Sequence, residues 1–408
     1  MREPGYDAIV IGARCAGAPT AMLLARRGHR VLLVDRAAFP SDTMSTHLIH
    51  PPGVAALARW GLLERLAATG CPPIDRYTFD FGPVVVAGAP QPADGIAHAF
   101  CPRRTVLDAL LVDAAVAAGV ELRERFVVDE LTTADGAVTG IRGHERGHAR
   151  VTERARVVIG ADGRRSLVAR TVRPEQYDER PTRAALYYAY WRDLPTRGFE
   201  TVIRAEQRRG WAAAPTHDGL TVVPFGWPVA ERDANRRDLE GSFRASVAAA
   251  PEFAQRLRGA RRVSRFIGTA ALPGYFRTPY GPGWGLVGDA GYHKNPMTAM
   301  GINDAFRDAK HVAQAIDDDA AGTRPYVDGM RAYQRARDED VRPIYALTDE
   351  IAQLLPPSPQ MQQLLAAMRG DQEAMDGFVS VQASTLSPAA FFAPANVARI
   401  MQRAAQRA

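Results

Sequence analysis

Residues 285–305, GLVGDAGYHKNPMTAMGINDA, hold the densest set of groups with a chemical use. A short apolar strand over Leu286 and Val287 runs into Gly288-Asp289. A loop with Asn295-Pro296 follows, and Gly301-Ile302-Asn303 opens a helix. A carboxylate at a strand end and bare N–H groups at a helix start suit a ligand with hydroxyls and an electron-rich, partly anionic ring. Within the loop, Tyr292-His293-Lys294 stands out, because lysine recurs only at Lys310. His293 and Lys294 are candidate catalytic groups; Lys294 could equally steady a ring, a substrate anion or the loop itself. Upstream, Thr46-His47-Leu48-Ile49-His50 offers two imidazoles, each a candidate substrate base or an ordinary hydrogen-bonding group.

Three strand-to-helix units must hold these groups. Asp7 to Ile11 is a compact apolar strand, Gly12-Ala13-Arg14-Cys15-Ala16-Gly17 a turn, and Ala18 to Arg27 a helix stopped by Gly28. Val31 to Val34 is a second strand, ending at Asp35. This is a βαβ unit of the dinucleotide-binding kind. Gly12 permits the tight turn and Gly17 lets helix and strand pack closely. The helix start offers N–H groups to a pyrophosphate, and Asp35 accepts from a ribose diol. The middle glycine of G-x-G-x-x-G is Arg14 here, so its side chain must point away or contribute its own charge. Arg156 to Ser166 repeats strand, glycine turn and helix start, with Asp162-Gly163 placed to close over a pyrophosphate. The plainer reading of that pair is a surface turn.

In this order and spacing the three segments resemble the group A FAD-dependent monooxygenases, the class of p-hydroxybenzoate hydroxylase. The resemblance implies FAD as cofactor. Its ADP part would lie on Gly12, Ala13, Arg14, Ala16, Gly17, Asp35 and Arg36. Asp162-Gly163, a motif also linked to NAD(P)H use, would meet the pyrophosphate, and Gly288-Asp289 the ribityl and pyrophosphate region. Pro296 would sit near the flavin ring, with the amides of Gly301, Ile302 and Asn303 at its N1/O2 edge. Arg104, opening a long helix, would approach FAD, and the segment with His47 and His50 would approach the ribityl chain and the ring. The implied activity is hydroxylation or epoxidation of an organic, aromatic or polycyclic, substrate with O2 and NAD(P)H through a flavin C4a-hydroperoxide. Such chemistry needs water excluded and the anionic reduced ring stabilised. No acid, base or nucleophile triad is required. Electrons would come from transiently bound NAD(P)H or from a separate flavin reductase.

The expected fold is α/β: a Rossmann-like FAD-binding domain (residues 1–75, 100–170 and 281–320) interleaved with an antiparallel β-sheet substrate domain (76–99 and 171–280), then a helical C-terminal region (321–408). Leu107, Leu110, Leu111 and Ala114 mark a helix over 103–118. Aromatic-rich runs at 185–191 and 221–225, and the alternating half-exposed run 199–204, read as strands covering the flavin, with one face lining a substrate chamber. The C-terminal pattern is helical, interrupted by Pro343 and by Pro356-Pro357-Ser358-Pro359, and is expected to pack on the FAD domain or to form homodimer contacts.

A chain of 408 residues can hold two interleaved domains. The net charge of +6 is spread over scattered Arg with no basic run beyond two, a solvated surface rather than a nucleic-acid interface. Cys15, Cys71 and Cys101 are odd in number and lack metal spacing, which speaks for a reducing compartment and against a disulfide framework or metal site. No stretch reaches membrane-span length and the N-terminus lacks a signal-peptide layout, so the cytoplasm is the expected location. The Arg- and Ala-rich composition suits a high-GC bacterial source and specialised metabolism. Three rivals remain. A flavin-dependent halogenase would carry an early catalytic lysine and a Trp-x-Trp-x-Ile-Pro motif, whereas no lysine precedes Lys294 and Trp211-Ala212-Ala213-Ala214-Pro215 is only a faint echo. A C=C reductase of the geranylgeranyl reductase type stays open. The intact stretch from Gly288 to Asn303 argues against a non-catalytic FAD-binding protein.

Overall fold

A computed structural model describes residues 5–407. The expected domain limits also took in residues 1–4 and 408, which lie outside the described residues. The strand Tyr6–Ile11 lies between Val31–Val34 and Val151–Gly160, parallel to both. Trp284–Leu286 and Glu121–Arg123 extend the sheet in parallel at its two sides. Ile9, Val10, Leu32, Leu33, Val158 and Ile159 are buried, as continuous apolar strands covered on both faces must be. Helices Gly17–Ala25, Arg104–Ala117 and Gly301–Ala320 share the core on one face. The hairpin Phe126–Ala134/Ala137–Glu145 and the helix Leu167–Val172 cover the other. Ile11 pairs with Gly160, and Gly160 with Leu286. Three parallel strands thus end level, and the turns that follow them emerge at one edge although they are far apart in sequence.

The second sheet runs, in spatial order, Arg261–Arg262, Ala184–Arg192, Leu220–Pro228, Arg209–Pro215, Phe199–Arg204, Tyr77–Asp80 and Val85–Gly88. The expectation of a wholly antiparallel sheet needs one correction: Phe199–Arg204 pairs in parallel with Tyr77–Asp80. These strands are separated by much of the first domain, and so long a crossover leaves either direction open, unlike a hairpin. Period-two alternation divides the faces. Ala185, Tyr187, Ala189 and Trp191 pack outward with Phe243 and Phe253 of two short helices. Tyr188 and Tyr190 face inward with Tyr77, Phe79 and Val222. The molecule is therefore α/β, with a Rossmann-like FAD-binding fold, a mixed second sheet and a C-terminal helical region.

Two expectations for the C-terminal region change. The helix Tyr326–Ala352 runs unbroken through Pro343. An interior proline costs about 3 kcal/mol, but this helix buries Val341, Ile344 and Tyr345 against Phe276 and Tyr292. A fully buried Arg337, charge-paired with its neighbour Asp338, anchors it further, to the Tyr177 hydroxyl and the Gly291 and Arg277 carbonyls. Each buried side chain of this size contributes about 1.5–3 kcal/mol. This helix packs along Gly301–Ala320, on the FAD-binding side. The later helices do not: Pro359–Ala367, Gln372–Gln382 and Pro394–Arg407 share a core with Tyr77, Phe79 and Val86 of the second sheet. The Ala89 amide donates to Asp376 (3.0 Å) and the Gln91 amide to the Ser380 hydroxyl (2.9 Å).

Candidate active site

Gly12 has φ +101°, and a Cβ there would lie 2.5 Å from the Ala161 carbonyl oxygen; one on Gly17 would lie 1.7 Å from that of Gly12. Both must be glycine, because the first turn is pressed against the second. The amides of Arg14, Cys15 and Ala16 have no acceptor among the described residues, and these residues line a cavity. Asp35 organises the turn: it accepts from the amides of Ala13 and Ala37, each at 2.8 Å, and each oxygen keeps a lone pair. Arg14 turns away from the loop amides. Its guanidinium donates to Asp108 (2.6 Å) and the Ser41 hydroxyl (3.0 Å) and lies 5.4 Å from the centre of the Phe39 ring. Asp108 also binds Arg104 at 2.9 and 3.0 Å. One buried carboxylate between two guanidinium groups leaves positive charge beside the groove, which suits a pyrophosphate.

Asp162 sits on the neighbouring turn. Its Oδ2 accepts from the Leu167 amide (2.6 Å), while Oδ1 is buried without a partner. Burial pushes this carboxyl above its ordinary pKa. Gly163, at φ +76°, faces open space. Gly288 completes the trio: φ is +57°, and a Cβ would come within 2.9 Å of the Ala16 methyl. The Gly288 amide donates to Asp308 (3.0 Å), and the Asp289 carbonyl accepts from the Tyr275 hydroxyl (2.6 Å). Arg307 bridges Asp308 and Asp304, and Asp304 holds Lys294 in a buried ion pair. Lys294 is thereby clamped at the cavity wall, 5.0 Å from the Tyr292 ring centre.

Beyond these turns, Asn295 caps the short turn Pro296–Thr298 by accepting from the Met297 amide (3.2 Å). The helix Gly301–Ala320 begins without a side-chain cap, and the amides of Gly301, Ile302 and Asn303 have no acceptor among the described residues. The Asn303 side chain points elsewhere, accepting from the His50 amide at 3.1 Å. The His50 ring bridges the Tyr77 hydroxyl (3.0 Å) and the Thr298 carbonyl (3.1 Å). A carbonyl can only accept, so Nε2 donates to Thr298 and Nδ1 accepts from Tyr77. Burial lowers the His50 pKa to about 4 and that of His47 to about 3, so both are neutral. His47 is fully buried, bonded through Nε2 to the Tyr190 hydroxyl (2.8 Å). His293 is buried against the Pro273 carbonyl and stacks on Tyr275.

The geometry sorts the expected residues. Gly12, Arg14, Ala16, Asp35, Arg36, Arg104, Asp162, Gly163, Gly288, Asp289, His293, Lys294, Pro296, Gly301 and Ile302 line one cavity of about 1240 Å³. Ala13, Gly17, His47 and Asn303 are not on its wall. His47 as a base reaching substrate is therefore corrected: it is packed behind the wall between Tyr188 and Tyr190. His50, its neighbour, is on the wall. The cavity continues past Pro296 into a chamber floored by the second sheet, where Gly210, Ala212, Pro224 and Gly226 on the two central strands leave room. Its far wall is C-terminal: Leu354, Met361, Leu365 and Phe378. Sequence reading missed this wall, while the run 185–191, Tyr188 included, was expected in the sheet with one face lining a substrate chamber. The alternation Leu186, Tyr188, Tyr190 marks that face; no local pattern ties Phe378 to Phe79, whose rings meet at 5.6 Å.

Known proteins match along nearly the whole chain. A family described as FAD binding domain matches residues 5–344. The digeranylgeranylglycerophospholipid reductase 1 of Methanopyrus kandleri is 27% identical over 86% of this chain and 91% of its own. The para-nitrophenol 4-monooxygenase of Pseudomonas sp. strain WBC-3 is 25% identical over 76% of this chain and 77% of its own. The solved structure of a myxobacterial chondrochloren halogenase superposes with a TM-score of 0.78 at 22% identity, covering 98% of this chain and 97% of that one; it is a likeness of fold.

Proposed function

This chain belongs to the FAD binding domain family and is an FAD-dependent oxidoreductase, and from that premise we propose that it is a monooxygenase acting on an organic, aromatic or polycyclic, substrate. The residues present fit FAD. Gly163 and Gly301 leave open space on the cavity wall that a side chain would enter, loop amides await an anion, and Asp162 holds a buried oxygen without a partner. Gly12, Ala16, Asp35 and Arg36 would hold the ADP part, Asp162, Gly163, Gly288 and Asp289 the pyrophosphate and ribityl chain, and Pro296 with Gly301 and Ile302 the ring. Once reduced by NAD(P)H, directly or through a separate reductase, FAD supplies activation of O2 and transfer of one oxygen atom. The chain's part is positioning and exclusion. The helix start at Gly301 offers donors to negative charge at the ring edge, and the apolar chamber keeps water from the reacting atoms.

The observation that carries this reading is the continuity of the cavity, from the glycine turn past the free amides at Gly301 into a chamber with a mainly apolar lining. Halogenation is disfavoured because neither lysine is free at the cavity: Lys294 is paired with Asp304, and Lys310 is exposed on its helix. The likeness to the Methanopyrus kandleri reductase keeps C=C reduction as the second reading. Oxygen uptake separates the two. The monooxygenase reading expects uptake in step with NAD(P)H oxidation and a product heavier by one oxygen. Saturation of a substrate double bond under strict anaerobiosis would sink it.

A further inference from the structure

One departure from the glycine motif is left without a task. Arg14 stands where G-x-G-x-x-G has its middle glycine, and its φ is not positive, so the turn itself does not demand glycine there. The side chain leaves the turn and joins two elements. Nη1 donates to the fully buried Asp108 of the helix Arg104–Ala117 (2.6 Å) and to the Ser41 carbonyl (3.3 Å). Nη2 donates to the Ser41 hydroxyl (3.0 Å) and the Asp42 carbonyl (3.4 Å). The Phe39 ring centre lies 5.4 Å from the same guanidinium, within cation–π range.

The loop held in this way has few other ties. Residues 42–46 have no regular secondary structure, and all five line the cavity. The loop is fixed at its start by the Phe39 amide on Glu124 (2.8 Å) and at its end by the His47 ring between Tyr188 and Tyr190 of the second sheet. Between these points the remaining bonds are internal: Asp42 accepts from the Thr43 amide and the Ser45 hydroxyl from the His47 amide. Among the described residues, only the Arg14 guanidinium reaches residues 40–45 with hydrogen bonds from outside the loop. The same residue's amide, with those of Cys15 and Ala16, has no acceptor among the described residues. An anion on these amides fixes the main chain of the residue whose side chain holds the loop.

Resting on the assignment of FAD to this cavity, we propose that Arg14 is a positioning residue that latches the loop 41–46 to the cofactor turn, so that FAD binding and closure of this stretch of cavity wall reinforce each other. Coupling of this kind is reciprocal: whatever FAD adds to closure, closure adds to FAD affinity. Arginine suits the task because one planar fork serves Asp108 and the loop together, a geometry that a lysine lacks.

The test is thermolysin cleavage before Met44, which is 38% exposed, followed by fragment mass in the full-length protein with and without FAD. Cutting there tracks the population of the open loop. In the wild type, saturating FAD is expected to slow this cut by at least about fivefold, the lower end of coupling between linked sites. Arg14→Gly supplies the ordinary residue of the motif. With FAD present its loop should be cut at least about tenfold faster than that of the wild type, the loss expected for hydrogen bonds from a charged group. FAD should no longer slow the cut, and should itself bind more weakly. Arg14→Lys keeps the positive charge and should behave like Arg14→Gly, whereas a role confined to charge would leave it like the wild type. Ser41→Ala leaves the Asp108 pair intact and decides the matter if the Arg14 variants do not fold. It should speed the cut about two- to tenfold, the range for one net hydrogen bond, at an unchanged urea midpoint. A wild-type cut that FAD does not slow, Arg14→Gly or Arg14→Lys cut as slowly as the wild type or binding FAD as tightly, or a Ser41→Ala loop cut at the wild-type rate would each overturn the proposal. A wild-type protein that binds no FAD would overturn the cofactor reading and the coupling with it.

Discussion

At the scale of single residues, Asp162 and Lys294 show how differently two buried charges can be held. Lys294 is paired with Asp304, which also holds Arg307; Arg307 is balanced in turn by Asp308, which accepts from the Gly288 amide. Removing one partner of a buried pair costs about 3–5 kcal/mol, so this lysine has a structural task whether or not it acts on a ligand. Asp162 has no cation bonded to it: one oxygen serves the Leu167 amide and the other serves nothing. Its raised pKa means that the ionised form is penalised in the folded state, so the penalty grows as pH rises through the folded value. Asp162→Asn keeps an acceptor for Leu167 and removes that charge. The apoprotein is expected to become more stable at neutral pH, because the penalised charge is gone, with the gain shrinking toward acid pH. FAD should bind at least tenfold more weakly. Urea melts of apoprotein and quenching of FAD fluorescence measure the two effects. Tight FAD binding in this variant would remove Asp162 from the cofactor site.

At the scale of elements, what could be read in the sequence follows how local the information is. The unit from Tyr6 to Asp35 was legible because its strand, turn, helix and second strand are contiguous, and the glycines have one steric reason each. The helix at 103–118 and the strands at 185–191, 199–204 and 221–225 were legible from their periods. The parallel pairing of Phe199–Arg204 with Tyr77–Asp80 was not, since register between distant strands is set by the whole fold. Nor was the unbroken run of Tyr326–Ala352 through Pro343. There, local propensity favoured a break and tertiary burial overrode it. That balance can be measured. Pro343 is exposed, and its substitution restores an N–H to the helix without touching the core. Pro343→Ala is expected to raise stability by up to about 3 kcal/mol, the interior cost of proline, seen as a higher urea midpoint at constant m-value. A lower midpoint would mean that the proline shapes the seating of Tyr345 on Phe276.

At the scale of the whole molecule, the loop of residues 41–50 joins the FAD-binding part to the second sheet, and two neutral histidines make the joint. His47 is wedged among Tyr188 and Tyr190 of that sheet. His50 links Tyr77 of the same sheet to Thr298, just before the helix Gly301–Ala320. The same histidine's amide is held by Asn303. Both imidazoles have folded pKa values below the ordinary 6.5, at about 3 and about 4, chiefly through burial. Between those values and 6.5 the unfolded chain binds protons that the folded chain refuses, so stability falls as pH falls through that window. Each such histidine adds a slope of up to about 1.4 kcal/mol per pH unit. His293, His217 and His311 are shifted in the same direction by burial and add to the slope. Carboxylates with lowered pKa, such as Asp304, add their own loss only below the unfolded carboxylate value near 4. The unfolding free energy from urea titrations is therefore expected to be level between about pH 7 and 8, below the range where the buried thiols would ionise in the unfolded chain, and to decline from about 6.5 toward 4. His47→Gln should reduce that slope by close to one proton. A slope unchanged by the substitution would mean that His47 already takes up its proton in the folded protein, and that this joint opens without unfolding the rest.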